Sequence, residues 1–144
     1  MTDQDRGHFA KKHRAGAKTN PKVEAALRQE ASSGELPCAV AFKVASALDV
    51  QPEEVGRVAD LLEMRLIKCQ MGLFGYQPEK RIVKPARHVS EQLEKAIRER
   101  LRDGRLPCES AWRIAKNLGI RKMEVSSACQ ALRIKITACQ IGAF

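Results

Sequence analysis

The sequence predicts a mainly α-helical protein with short β-strands, built of two tandem copies of one small unit. Three observations carry this expectation. The 144 residues draw 44% of their number from hydrophobic types, and these are mostly Ala, Leu, Val and Ile, with only 4% aromatics. Proline and glycine sit in a few places instead of recurring every few residues, a distribution that favours helices over a sandwich or barrel. Laid over itself at an offset of 70, the sequence stays in register without a gap from Asn20 opposite Ser90 to Phe74 opposite Phe144. Gly34, Leu36, Pro37 and Cys38 match Gly104, Leu106, Pro107 and Cys108, and Glu54, Val55 and Leu62 match Glu124, Val125 and Leu132. Two copies make a tandem duplication and not a solenoid, which needs three or more stacked units.

The expected boundaries are a basic N-terminal arm over 1–19, a first repeat over 20–76, a linker over 77–89 and a second repeat over 90–144. In each repeat Asn20 or Ser90 is an N-cap opening a first helix, expected to stop at Gly34 or Gly104. A second helix starts with Pro37 or Pro107 and runs to Leu48 or Leu118. A tight turn follows at Asp49-Val50-Gln51 or Gly119-Ile120-Arg121, where aspartate and glycine suit a positive φ. The third helix places Val55, Val58 (or Ala128), Ala59 (or Cys129) and Leu62 on one face, at spacings of three and four. "MRLIKCQ" and "RIKITACQ" then alternate apolar and polar residues, as a strand does. The closing "CQIGAF", Cys139 to Phe144, is read as the anchor of the second unit. Cys139, Gly142 and Phe144 are expected to finish its core, and the chain to stop because that unit is complete. Trp112, in the place of Phe42, is also read as core.

The stretches "VASALDVQPEEVGRVADLL" and "IAKNLGIRKMEVSSACQAL" resemble the helix-turn-helix of DNA-binding regulators. Ala45 and Ala115 would be small because two helices cross there, and Val50 and Ile120 would plug the angle between them. The trailing strand makes the winged-helix subgroup the nearest likeness, so two tandem winged-helix-like repeats, packed with pseudo-two-fold symmetry, are expected. The resemblance implies that residues at and just after the start of the third helix face a major groove. In the second repeat these are Arg121, Lys122, Met123, Ser126, Ser127 and Gln130, flanked by Arg133 and Lys135. Ser and Gln can address base edges, and the cations can grip phosphate or guanine. Their counterparts Gln51, Pro52, Glu53, Gly56, Arg57 and Asp60 are poor DNA ligands, because the acids oppose phosphates.

Charge makes the same distinction. The chain carries a net +9, which speaks of polyanionic partners and not of fold. Residues 23–76 are net −3 and residues 93–144 net +6, so the second repeat is expected to bind nucleic acid and the first to dock protein or self-associate. The arm "RGHFAKKHRAGAK" sets basic residues around Phe9, and as a disordered arm Lys11, Lys12 and Arg14 would lie along phosphates or enter a minor groove. Duplex DNA is the expected partner, with RNA the open alternative.

Five cysteines without a CxxC or CxxxC pair argue for reduced thiols. Cys38, Cys69, Cys108 and Cys139 occupy matched positions, and core packing is the preferred reading over a shared thiolate metal or redox site. No nucleophile–base set, phosphate loop or paired-carboxylate site stands out. Glu54 and Glu124 are expected to pair with a neighbouring cation. The expectation is therefore a non-enzymatic DNA-binding protein, a transcriptional regulator or chromosome-associated factor, without cofactor and without membrane contact. With no long apolar run and no apolar leader, it is placed in the cytoplasm. The alternatives are a protein-interaction adaptor and a thiol-based sensor.

Overall fold

The computed structural model describes residues 7–14 and 16–144. The chain is mainly helical with short strands and divides into two compact units. The first holds the chain up to Cys69 together with Gln140–Phe144; the second holds Gln70–Cys139. The repeats of the sequence and the compact units of the structure are therefore different sets of residues. Gln70–Phe74 of the first repeat fall in the second unit, and Gln140–Phe144 of the second repeat fall in the first.

In the first unit, α1 spans Pro21–Glu30, β1 Glu35–Pro37, α2 Cys38–Leu48, α3 Pro52–Leu61 and β2 Arg65–Ile67. Asn20 opens α1 as expected, its side-chain oxygen accepting from the backbone N–H of Lys22 and Val23 at 3.1 and 3.4 Å. The helix ends earlier than Gly34, because residues 32–35 form a two-residue hairpin turn instead. Ser32 and Glu35 exchange both backbone hydrogen bonds, at 3.1 and 2.9 Å, around Ser33 (φ 53) and Gly34 (φ 75). Two consecutive positive φ values are what such a turn requires. The turn feeds β1 into parallel pairing with β2, Leu36 beside Leu66, both fully buried. Parallel strands need a long crossover, and α2, the turn at Asp49 and α3 supply it. Asp49 (φ 53) closes α2, as the sequence predicts for this position. Val23, Leu27, Ala41, Val55, Val58 and Ala59 form the interior.

The second unit repeats this order: α4 over Glu91–Glu99, β3 over Leu106–Pro107, α5 over Cys108–Leu118, α6 over Lys122–Ala131 and β4 over Ile136–Thr137. Ser90 Oγ accepts from the Leu93 N–H at 3.1 Å. Arg102 and Arg105 exchange backbone hydrogen bonds at 2.7 and 3.0 Å around Asp103-Gly104, so α4 too stops short of the predicted glycine. Leu106 pairs with Ile136, again parallel. In both units, among the described residues, the strands therefore form a parallel pair across two helices, where a wing would be an antiparallel hairpin.

The transferred tails complete the cores. Ile141 (1% exposed) and Ala143 (0%) are buried in the first unit, and Met71 (1%) and Phe74 (3%) in the second. The sequence expectation for Cys139, Gly142 and Phe144 is corrected accordingly. Cys139 and Phe144 are half-buried and Gly142 is exposed, because the buried side of "CQIGAF" is its Ile141 and Ala143. Trp112 is likewise half-buried and not core. Among the described residues no helix is long and apolar enough to cross a membrane.

Candidate nucleic-acid interface

The start of α6 is where the resemblance puts base-reading side chains, and the structure disposes of them unevenly. Ser126 is fully buried, and its hydroxyl donates to the Met71 carbonyl at 2.7 Å. It stands where the tail Gln70–Phe74 lies across the helix, so no base edge reaches it. Ser127 is half-buried; its hydroxyl donates to the Lys84 carbonyl at 2.6 Å, and its own carbonyl accepts from the Ala86 N–H at 3.0 Å. Both serines thus hold the preceding chain segments on the helix. Lys122 sits with Nζ 4.3 Å from the centre of the Trp112 ring and donates to Gln70 Oε1 at 3.3 Å. Met123, with Val83, Pro85, Leu93 and Ile120, lines a groove of about 580 Å³. Arg121 is exposed and bonds Glu124 Oε1 at 3.1 Å, the pairing expected of that glutamate. Gln130 is half-buried, while Arg133 and Lys135 are exposed past the helix end. The structure does not gather the predicted readers on one open helix face.

Ser126→Ala is expected to cost about 1–2 kcal/mol of stability by leaving the buried Met71 carbonyl without its donor. DNA affinity should be unchanged. Thermal unfolding and a binding titration on the same variant check both; a selective loss of affinity would return the hydroxyl to the interface.

The first unit explains its acids differently from the sequence reading. Residues Phe9–Lys12 form a 3-10 turn packed on α3, with Phe9 only 3% exposed. The Glu63 carboxylate accepts from the backbone N–H groups of Phe9 and Ala10, both at 2.9 Å. The buried Asp60 Oδ2 lies 2.8 Å from His13 Nε2 and 3.1 Å from Lys12 Nζ. Lys12 also donates to the Gly142 carbonyl at 2.9 Å, and Arg65 stacks on the Phe9 ring at 5.6 Å. This part of the arm is therefore a built element of the first unit, and Lys12, though exposed, is bonded within it. Lys11 and Arg14 are exposed. Of the proposed arm over 1–19, residues 1–6 and Ala15 lie outside the described residues. Glu54 pairs with Arg57 at 2.7 Å, and that hydrogen bond holds its carboxyl below the usual range.

Burial pushes the Asp60 carboxyl above its ordinary value, against the hydrogen bond from His13 and the charge of Lys12. An acid whose folded pKa is raised holds its proton more tightly in the native state than in the unfolded chain. Its contribution to stability is therefore fully present below the ordinary Asp value and is lost as pH rises through the raised one. Asp60→Asn is expected to remove that decline. Urea midpoints taken from about pH 3 to pH 6 check it, and a variant keeping the wild-type slope would refute it.

Cys38, Cys69 and Cys108 are buried and Cys139 half-buried, all as reduced thiols, the first two in one unit and the others in the second. Burial pushes the Cys129 thiol up to about 12, which keeps it protonated and unreactive. Among the described residues no group of three or more His, Cys, Asp or Glu side chains is placed to hold a metal ion.

What distinguishes the two units is charge. The second carries fifteen Lys/Arg against seven Asp/Glu, net +8, and the first eleven against ten. Sequence reasoning by repeat found the sign of this asymmetry. It missed Arg100, Arg102 and Arg105, three exposed cations around the Asp103-Gly104 turn. The dipeptide Asp-Gly is itself a strong hairpin signal and could have located them. In comparison with known proteins, no protein family, no curated protein and no solved structure matches the chain.

Proposed function

We propose that this is a non-enzymatic DNA-binding protein, a transcriptional regulator or chromosome-associated factor, that captures duplex DNA through the phosphate backbone with its second unit. The observation that carries the reading is the charge difference between two units of one fold. Net +8 and net +1 on the same sequence of helices and strands mean that the basicity is not needed to make the fold. A concentration of cations on one unit is the electrostatic footprint of a polyanion-binding surface. The paired helices α5 and α6, joined by a left-handed Gly119 (φ 66), support the resemblance to helix-turn-helix regulators. The engagement of Ser126 and Ser127 within the unit argues for backbone capture over base reading by these side chains.

Titration with a random-sequence DNA duplex across a salt series tests the reading. Affinity is expected to fall steeply with salt, with a log–log slope of roughly −0.9 for each phosphate contacted. Absence of binding at low salt, an affinity indifferent to salt, or preferential displacement by an equal length of RNA would overturn it.

A further inference from the structure

Resting on that reading, we infer that the phosphate contact is made at the tight-turn end of the second unit, by Arg100, Arg102, Arg105, Arg133 and Lys135. These residues come from two distant stretches, "RLRDGRL" and "LRIKI". The turn at Asp103-Gly104 sends Arg102 and Arg105 back past each other, joined by backbone hydrogen bonds of 2.7 and 3.0 Å. The β3–β4 pairing then brings the second stretch alongside: Leu106 pairs with Ile136, and the Leu106 N–H donates to the Lys135 carbonyl at 3.0 Å. Immediately before these two partners in sequence stand Arg105 and Lys135. Leu106 and Ile136 point inward and are buried, so their neighbours Arg105 and Lys135 point outward together, and both are exposed. Arg133 lies two residues earlier on the second stretch and Arg100 two residues before Arg102, both exposed. The one acid of the turn, Asp103, leaves the group strongly positive.

Two features single this cluster out from an ordinary solvated surface. The first is that among the described residues its cations have no ion-pair partner, whereas Arg98, Arg113 and Arg121 are each paired with a glutamate three or four residues away in sequence. Like charges set side by side on paired strands oppose folding, so the arrangement suits an external anion. The second is an internal control. The matched positions in the first unit are Glu30, Ser32, Glu35, Glu63 and Arg65, and the side-by-side strand pair there, Glu35 with Arg65, has opposite signs. In that unit Glu63 holds the protein's own backbone at Phe9 and Ala10, and Arg65 covers the Phe9 ring. One end of the fold is thus closed by the chain itself, and its counterpart is open and cationic. The guanidinium of each exposed arginine carries the fork of donors that suits phosphate oxygens.

The test compares two charge-matched variants of the full chain against random duplex DNA. In one, Arg102→Gln, Arg105→Gln and Lys135→Gln are combined; in the other, Lys95→Gln, Arg113→Gln and Lys116→Gln remove the same charge from exposed helix positions of the same unit. The cluster variant is expected to bind at least tenfold more weakly near 0.1 M salt, with the salt slope shallower by about 2–3. The helix variant should stay within about threefold of wild type. Unfolding midpoints of the cluster variant at or above wild type separate lost contacts from lost fold. Equal weakening of both variants, or wild-type binding by the cluster variant, would overturn the inference while leaving DNA binding itself standing. If the wild-type protein does not bind DNA, both fall.

Discussion

Ile141→Ala is expected to destabilise the protein by about 2–5 kcal/mol, and the loss should be felt in the unit containing α2 and α3. By sequence, Ile141 belongs to the second repeat. In space it is 1% exposed in the core of the first unit, on the transferred tail Gln140–Phe144. Truncating it removes buried hydrocarbon and leaves a cavity beside α3, which cannot close because the tail's backbone rests directly on Gly56. Native-state hydrogen exchange distinguishes the alternatives. Amides of α3 and β2 should lose protection, while those of α6 and β4 keep theirs. The reverse pattern would show that the tail closes its own repeat.

Gly56→Val carries the second large effect, a loss of about 3 kcal/mol. A glycine inside an exposed helix costs up to about 1 kcal/mol relative to alanine, so removing one ordinarily helps. Here the sign reverses. A Cβ on Gly56 would come within 2.7 Å of the Ile141 carbonyl carbon and 3.0 Å of its Cα, and closer still to its oxygen. The obstacle is backbone, which no rotamer change moves aside. Either the tail lifts, exposing Ile141 and Ala143, or α3 shifts against β2. At the matched position of the second unit, Ser126 has room for its Cβ and uses its hydroxyl to hold the Met71 carbonyl. The two units therefore grip their tails by different means, one by contact and one by hydrogen bond. Urea unfolding of Gly56→Ala gives the sharper check, since that variant should also be less stable than wild type. Equal or greater stability would disprove the close approach.

Much of the local structure was legible in residue types. Asn20 and Ser90 announce helix starts because their short polar side chains satisfy orphan N–H groups. Asp49 and Gly119 announce left-handed closure, and both adopt it. The apolar spacing of Val55, Val58 and Ala59 marks a buried face, as found, whereas Leu62, expected on the same face, caps the helix and is only half-buried. Strands β1 and β3 were not legible, because two or three residues ending in proline are too short for any periodicity. The helix ends before Ser32 and Arg102 are not legible either, because Gly34 and Gly104 look like helix stops while each is the second residue of a hairpin turn.

The candidate interface divides the same way. The excess of cations in the second repeat is a property of composition, and the sequence alone determined it. The sequence also determined the duplication, and with it the number and order of helices, since each follows from local periodicity and capping. Tertiary structure decided which side chains are available. A helix-turn-helix pattern says that Ser126 and Ser127 stand near the start of a helix, but it cannot say that a tail 55 residues away in sequence from Ser126 will lie over that face. Nor can it say that a strand register will pair Leu106 with Ile136 and so bring the stretch of Arg105 to that of Lys135. Availability depends on contacts between distant segments, whose energies are not encoded in any window of neighbouring residues. The repeated "CQMGLF" and "CQIGAF" are alike in sequence because each closes the same kind of core; which core each closes is settled only in three dimensions.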